Sequence, residues 1–317
     1  MNSAIGGYFD LELNNTGSLY HDKAIALNSG RNALEYVLKA QGIKHVYLPY
    51  FTCDVLLTPI NRQGITYSLY SIDQNFEPIF DYSRLIENNL FLYVNYFGLK
   101  GDFIPKLAFL KEKLIVDNSQ AFFELPYSNL MTFYSARKFF GVPDGAFLYG
   151  SNILDEDIEQ GVSFNRMKHL LVRKDQSAEQ GFFHFLENDK AINDEPIESM
   201  SKLTSSILRS IPYSKIAVKR RFNYLYLNRA LAKLNKLQIN LEENAVPIAY
   251  PFWTDDETLR DKLLNQRIYT PQYWPNVLKW SQQNSFEYQL VKNVLYLPVD
   301  QRYTNSDLDK VIKTIIT

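Results

Sequence analysis

Short apolar runs rich in β-branched and aromatic residues alternate with helical stretches between residues 24 and 150, and this alternation limits the folds open to the chain. Such a rhythm is typical of a mostly parallel sheet covered by helices. Segment 33–41 places Leu34, Val37 and Leu38 on one helical stripe and ends at Gly42, a favoured residue at a helix C-terminus. We therefore predict an α/β fold. The predicted strands are 24–27, 46–50, 65–72, 90–97, 114–116, 132–134 and 146–149.

The second half of the chain has a different pattern. It is polar and helical to about Asp194, and one long helix is predicted over 213–237. Two strand-like runs follow, at 246–253 and 294–299, and Ser306 is a suitable N-cap for the last helix. At 317 residues the chain is long for a single core. We predict a large domain over 1–212, which includes the N-terminal segment, and a small α+β domain over 213–317 entered by the long helix.

Composition narrows the classes of function. The net charge of −1, with acidic and basic residues mixed along the chain, gives no electrostatic footprint for nucleic acid or an anionic membrane. There is no basic-then-apolar leader and no run of about eighteen apolar residues, so we expect a cytoplasmic protein with small-molecule partners. The single cysteine, Cys53, excludes an intrachain disulfide, and the four histidines have no metal-ligand spacing. The glycine-rich motifs of dinucleotide and nucleoside triphosphate sites are absent from the sequence.

Two charged residues follow neighbouring predicted strands. Asp117 closes the strand before Asn118-Ser119-Gln120, and the segment from Ser135 to Lys138 stands just past the next strand. Ligands of open α/β sheets bind beyond the carboxyl ends of strands. A pyridoxal phosphate enzyme needs a lysine amine to condense with the cofactor aldehyde and a carboxylate opposite the ring nitrogen, and these two residues could supply them. The alternatives are an ordinary turn at Asp117 and a surface lysine at Lys138.

Further candidates surround this pair. Ser29-Gly30-Arg31 lies between a strand and a helix, where free N–H groups and the helix dipole favour a phosphate, although a plain serine N-cap is the commoner case. The aromatic residues around Lys138 would favour its neutral, nucleophilic amine. Phe51 could stack on a cofactor ring, although in so aromatic a chain packing is the more frequent role. Cys53 fits a buried structural thiol.

Together these segments resemble the DegT-type aminotransferases of nucleotide-sugar biosynthesis, which belong to pyridoxal phosphate fold type I. The resemblance extends over most of the chain and depends on the order and spacing of the motifs. Arg31 stands where that family has threonine, and its G-Y-N-x-R segment, which serves the active site across the dimer, has no counterpart here. The segments that carry the resemblance are 28–34, 47–53, 94–98, 116–121, 133–138, 144–145 and 295–299 with Thr304 and Asp307.

The resemblance implies roles for residues at matching positions. Lys138 would form the Schiff base with pyridoxal 5'-phosphate, Asp117 would meet its pyridine nitrogen, and Gln120 would lie against its ring. Phosphate contacts would come from Ser29, Gly30 and Arg31, Ser135 would be a further cofactor-binding residue, and Phe51 would supply the stacking ring.

The implied activity is transfer of an amino group from an amino acid such as glutamate to a nucleotide-linked keto-sugar, in a homodimer, for surface polysaccharide or lipopolysaccharide synthesis. Two alternatives remain. One is a pyridoxal-type sugar dehydratase, which has histidine at the Schiff-base position, so Lys138 argues against it. The other is a non-catalytic binding or scaffold protein that retained the fold.

Overall fold

The computed structural model describes residues 5–14, 16–150, 154 and 156–317. Within these residues the strands are β1 (Ile25–Leu27), β2 (His45–Pro49), β3 (Thr66–Ile72), β4 (Pro78–Ile79), β5 (Asn89–Val94), β6 (Leu114–Asp117), β7 (Met131–Ser135), β8 (Ala146–Tyr149), β9 (Ala249–Trp253) and β10 (Val294–Pro298). The α-helices are α1 (Gly30–Gln41), α2 (Leu57–Arg62), α3 (Ile104–Leu107), α4 (Lys168–Asp175), α5 (Ala178–Asp194), α6 (Lys202–Arg209), α7 (Tyr213–Leu231), α8 (Leu259–Asn265), α9 (Val277–Trp280), α10 (Phe286–Asn293) and α11 (Asn305–Ile316).

Strands β1 to β8 form one sheet in the order β1-β8-β7-β6-β5-β2-β3-β4. The pairs from β7 through β6, β5 and β2 to β3 are parallel, whereas β8 and β4 run antiparallel to their neighbours. Strand β1 therefore points the same way as β7. Six strands consequently end at one edge of the sheet, which is where an open α/β sheet binds ligands. The mostly parallel sheet flanked by helices confirms the predicted fold class.

Helix α1 has the caps and the buried apolar stripe that the sequence predicts. The Ser29 side chain accepts a hydrogen bond from the Asn32 N–H, and Gly42 ends the helix in the left-handed region at φ 60°. Its apolar stripe, which includes Leu34, Val37 and Leu38, is buried against the sheet. The predicted start and end of this helix are confirmed. They fix the helix N-terminus beside the ends of β6 and β7.

Strands β9 and β10 pair antiparallel in a separate two-stranded sheet, surrounded by α7 to α11. One apolar core continues from the large sheet into this C-terminal part, from Leu27 to Val311. The division at residues 212 and 213 stays a prediction, because this continuous core does not mark a boundary. Within the described ranges, no helix has both the length and the apolar character needed to cross a membrane.

Four predicted boundaries were wrong. Strand β9 begins at Ala249 rather than at residue 246, because the segment before it contacts the turn after β5 through the Ile248 N–H and the Phe97 carbonyl. Strand β5 stops at Val94 rather than Phe97, because Phe97 and Gly98 adopt φ values of 59° and 70° that no strand tolerates. Helix α7 ends at Leu231 rather than Leu237. The N-cap of the last helix is Thr304 and not Ser306, because Thr304 and Asp307 satisfy each other's backbone N–H groups in a capping box.

Candidate functional site

Residues predicted for the site lie at the edge of the large sheet where the parallel strands have their carboxyl ends. Ser29 follows β1, Cys53 follows β2, Asp117 ends β6 and Lys138 follows β7 in a short 3₁₀ turn. Because these strands share one direction, residues distant in sequence meet at this edge. Asp117 and Lys138 lie close enough for their charges to interact.

Asp117 is a buried carboxylate with one oxygen fixed. Its Oδ1 accepts a hydrogen bond of 2.8 Å from the Ser119 N–H, and the residue is 7% exposed. Burial raises the pKa of Asp117, although the Lys138 ammonium group and hydrogen bonds from Ser119 act in the opposite direction. Among the residues described, no donor reaches the second oxygen, Oδ2. That oxygen is available to accept a hydrogen bond from a ligand.

Lys138 is exposed at the sheet edge. Its turn begins after Ser135 and is closed by hydrogen bonds from the N–H groups of Phe139 and Phe140 to the Ala136 carbonyl, at 3.0 and 2.9 Å. The expectation that aromatic neighbours enclose the amine was wrong, because Tyr134, Phe139 and Phe140 point into the core and are at most 5% exposed. The amine therefore faces open space above the sheet edge.

The N-terminus of α1 lies against the loop that follows Asp117. A Cβ placed on Gly30 would be 3.5 Å from Ser119 Oγ, so the two segments are adjacent. The Ser29 hydroxyl caps the helix through the Asn32 N–H at 3.2 Å, as in the serine N-cap alternative. The N–H groups of Gly30 and Arg31 have no partner within the helix. The helix start thus offers two free donors and its dipole next to a serine hydroxyl.

Arg31 extends toward helix α5. Its Nη1 donates to Asn193 Oδ1 at 2.7 Å, and burial lowers the pKa of its guanidinium, partly offset by the nearby Asp189 carboxylate. Arg137 donates to the same Asp189 at 3.2 Å. Two cations therefore share one carboxylate beside the start of α1. A cleft of about 350 Å³ opens here, lined by Arg31, Asp54, Val55, Thr58, Leu186, Asp189, Lys190 and Asn193.

Two predicted cofactor contacts are not available. Phe51 is 0% exposed and packs edge-on against Trp274, with ring centroids 4.6 Å apart, so neither face of its ring is open to a ligand. Gln120 is 2% exposed, and its Oε1 accepts a hydrogen bond of 2.9 Å from the Phe97 N–H. Gln120 therefore holds the turn after β5. Sequence could not distinguish these packing roles from ring contacts, because both use buried aromatic and amide side chains.

The structure adds residues that sequence reasoning did not assign to the site. Cys53 is near both Lys138 and Arg31; burial raises the pKa of its thiol, and these two positive charges oppose the effect. Ser119, Arg137 and Asp189 also border the site. Ser119 stands inside the motif that contains Asp117, a signal that could have found it. Helix α5 gave no such signal, because its contact with Arg31 is made only in the folded chain.

Comparisons with solved structures identify the architecture. The chain resembles a DegT DnrJ EryC1 StrS aminotransferase from Brucella abortus, with a TM-score of 0.64, 14% identity and coverage of 92% of this chain and 85% of the other. A sugar aminotransferase from Micromonospora echinospora gives a TM-score of 0.62, 15% identity and coverage of 93% and 87%. NtdA from Bacillus subtilis with bound cofactor PMP gives 0.63, 17% identity and coverage of 92% and 72%.

These similarities establish the fold. The large sheet, its helices and the C-terminal part have the architecture of pyridoxal phosphate fold type I, as in the DegT-type sugar aminotransferases. The predicted structural resemblance is therefore confirmed. No protein-family model matches the sequence, and a search of curated proteins finds no match.

Proposed function

We propose that this protein is a pyridoxal 5'-phosphate-dependent aminotransferase that moves an amino group from an amino acid such as glutamate to a nucleotide-linked keto-sugar. The product would serve surface polysaccharide or lipopolysaccharide biosynthesis. The proposal rests chiefly on one observation: the buried Asp117 ends β6 and Lys138 follows the neighbouring parallel strand β7, at the edge where α1 begins. It is also supported by the fold, whose solved examples include sugar aminotransferases.

The residues present fit the cofactor. The open Oδ2 of Asp117 would accept the ring N–H, and the ionised carboxylate would keep that nitrogen protonated. The free N–H groups of Gly30 and Arg31, with the hydroxyls of Ser119 and Ser135, offer donors of the kind that bind a phosphate. When bound, pyridoxal phosphate supplies a ring that accepts the electrons released as the donor's α-carbon loses its proton.

Each protein group then has a distinct task. Lys138 Nζ would hold the cofactor by a covalent link, yield to the incoming amino donor, and accept the proton that leaves the donor's α-carbon. The Arg31 guanidinium would have to share its contact with Asn193 or leave it in order to add a direct phosphate bond. Ser29 would act mainly through its cap, which fixes the first turn of α1.

We also propose that the protein works in the cytoplasm as a homodimer. Helices α4 and α5, with the turn before them, expose large apolar side chains that are 43–74% accessible: Phe164, Leu171, Phe182, Phe183, Phe185 and Leu186. Large apolar side chains exposed together on neighbouring helices are typical of interaction sites. Leu186 also lines the cleft beside Arg31, so a second copy on this face would border the site. Light scattering of wild-type and Phe183→Asp protein tests the assembly.

Cofactor trapping on Lys138 tests the proposed function. The protein is mixed with pyridoxal phosphate, its visible absorption spectrum is recorded, and borohydride reduction is followed by peptide mass mapping. We expect a visible band and a reduced adduct on Lys138, both lost in Lys138→Ala and both retained in Lys174→Ala, a control lysine exposed on α4. Turnover with glutamate and a panel of nucleotide-linked keto-sugars then identifies the acceptor.

The same experiment can overturn the proposal. A band and full turnover that survive Lys138→Ala would remove Lys138 from the chemistry. If wild-type protein takes up no cofactor at micromolar concentration, the binding or scaffold alternative gains support. The burial of Phe51 and the structural use of Gln120 favour that alternative, because both remove expected ring contacts.

A further inference from the structure

Arg220, on helix α7, is a buried cation bound mainly to backbone carbonyl groups. It is 2% exposed, and among the described residues no carboxylate forms an ion pair with it. Its Nη1 donates to the carbonyls of Pro247 and Ile248 at 3.3 and 3.4 Å, and its Nε donates to Gln301 Oε1 at 3.0 Å. A buried guanidinium is costly unless each donor is used. The fork geometry of arginine makes these bonds possible. The Asp300 carboxylate, which is bound to Arg302, supplies the compensating charge nearby.

The remaining contact of Arg220 reaches the residue after Lys138. Its Nη2 donates to the Phe139 carbonyl at 3.4 Å, and the guanidinium lies 4.5 Å from the centre of the Phe139 ring. Gln301 Nε2 donates to the same carbonyl at 3.0 Å. Two side chains from the C-terminal part thus bind one carbonyl of the turn that carries the reactive lysine. Lys138 itself is exposed, and its turn is held both by these two side chains and by the bonds that close it on the Ala136 carbonyl.

The carbonyls held by Arg220 belong to a segment that also supports the Asp117 side of the site. The Ile248 N–H donates to the Phe97 carbonyl at 3.0 Å, and the Phe97 N–H donates to Gln120, three residues after Asp117. Residues 246–248 therefore contact the turn after β5, while Arg220 connects this segment to the turn after β7. Arg220 therefore contacts both the segment that supports the Asp117 side of the site and the turn that carries Lys138.

We propose that Arg220 is a positioning residue that sets the place of Lys138 relative to Asp117. Its role rests on the proposed function, because it concerns the lysine that would hold the cofactor. Binding of the Phe139 carbonyl fixes the 3₁₀ turn, and binding of the 247 and 248 carbonyls ties that turn to the C-terminal sheet. Movement of the C-terminal part would consequently move Lys138.

Chemical labelling of cofactor-free protein tests this role directly. Wild type, Arg220→Met, Arg220→Lys and the control Arg229→Met are treated with a limiting amine-reactive reagent between pH 7 and 10. Peptide mass spectrometry follows the labelling of Lys138 relative to Lys174. Arg229 is exposed on the same helix and provides the matched control. We expect Arg220→Met to change the Lys138 labelling profile at least twofold, with no change at Lys174, and Arg220→Lys to recover part of the wild-type profile.

Borohydride trapping supplies the second readout. We expect the yield of the pyridoxal phosphate adduct on Lys138 to fall about tenfold in folded Arg220→Met and to be unchanged in Arg229→Met. If Arg220→Met does not fold, Gln301→Met removes the other donor to the same carbonyl, and a smaller change in the same direction is expected.

Several results would overturn the role of Arg220. Labelling and trapping identical to Arg229→Met in folded Arg220→Met would do so, as would an unchanged Gln301→Met if Arg220→Met is unfolded. Wild-type protein that traps no cofactor would instead contradict the proposed function. The labelling comparison would still decide whether Arg220 positions Lys138.

Discussion

Acidification should destabilise this protein through His21. The ring is 1% exposed; its Nε2 lies 2.8 Å from the Phe122 carbonyl, and its Nδ1 lies 3.3 Å from the Tyr149 hydroxyl. The Tyr134 ring packs on it with centroids 4.0 Å apart. Burial lowers the pKa of His21 from 6.5 to about 4, although its contact with Phe122 and the charge of Asp22 act in the opposite direction. The folded state therefore holds the neutral ring.

The difference between the pKa of His21 in the folded and unfolded states gives the direction and the size of the change in stability. The folded pKa lies below the unfolded value, so the unfolded chain binds the proton first as the pH falls. The stabilisation is complete above pH 6.5 and is lost progressively toward pH 4. At about 1.4 kcal/mol per pKa unit, the total loss is about 3 kcal/mol, of which about 2 kcal/mol is lost by about pH 5.

Urea unfolding at about pH 7.5 and pH 5 measures this loss. We expect His21→Gln, whose amide can still donate to the Phe122 carbonyl, to show about 2 kcal/mol less change in the free energy of unfolding between these pH values than wild type. His184→Gln serves as the control, because His184 is partly exposed on α5, where its ring is bound to Glu187. If His21→Gln and wild type lose the same stability on acidification, the buried neutral ring of His21 is not the cause of the acid destabilisation.

Three further predictions concern local features. Asp117→Asn should stabilise cofactor-free protein and weaken cofactor binding, because burial raises the pKa of this carboxyl, so that its charge at neutral pH opposes folding; a lower melting temperature would contradict this. Gly98→Ala should cost more than about 1 kcal/mol in urea unfolding, because φ is +70° and the new Cβ would lie 2.9 Å from the Val246 carbonyl. Gly42→Ala, with similar φ and open space, should cost less. Thr304→Ala should lose about 1 kcal/mol through the capping box, whereas Ser306→Ala should lose little; the reverse order would refute the assigned cap.

Local signals predicted the large sheet well. The strands from β1 to β8 that the apolar runs indicated lie within a few residues of their predicted positions, and α1 begins and ends at its predicted caps. The exceptions depend on contacts between segments. Strand β5 ends early because Gln120 binds the Phe97 N–H, and the turn that follows packs against residues 246–248. The local pattern of hydrophobic residues does not indicate such contacts.

Some residues of the candidate site could be identified from local sequence, whereas others are brought to the site only by the fold. Asp117, Ser29 and Lys138 could be chosen from sequence because each follows a strand whose direction is set by the alternating pattern. The packing of Phe51 against Trp274 joins residues more than two hundred positions apart, so its loss as a ring contact could not be foreseen. The approach of Arg31 to Asn193 and of Arg220 to Phe139 likewise requires the folded chain.

The sequence by itself determined the mostly parallel sheet and the edge where Asp117 and Lys138 stand, because strand alternation and helix caps are encoded within a few residues. Tertiary structure alone decided which side chains face the open space and which are used in packing. It also decided that Arg220 and Gln301 bind the turn of Lys138 from the C-terminal part. The physical reason is that burial and hydrogen-bond partners are properties of the whole packed chain, whereas the strand period is a property of neighbouring residues.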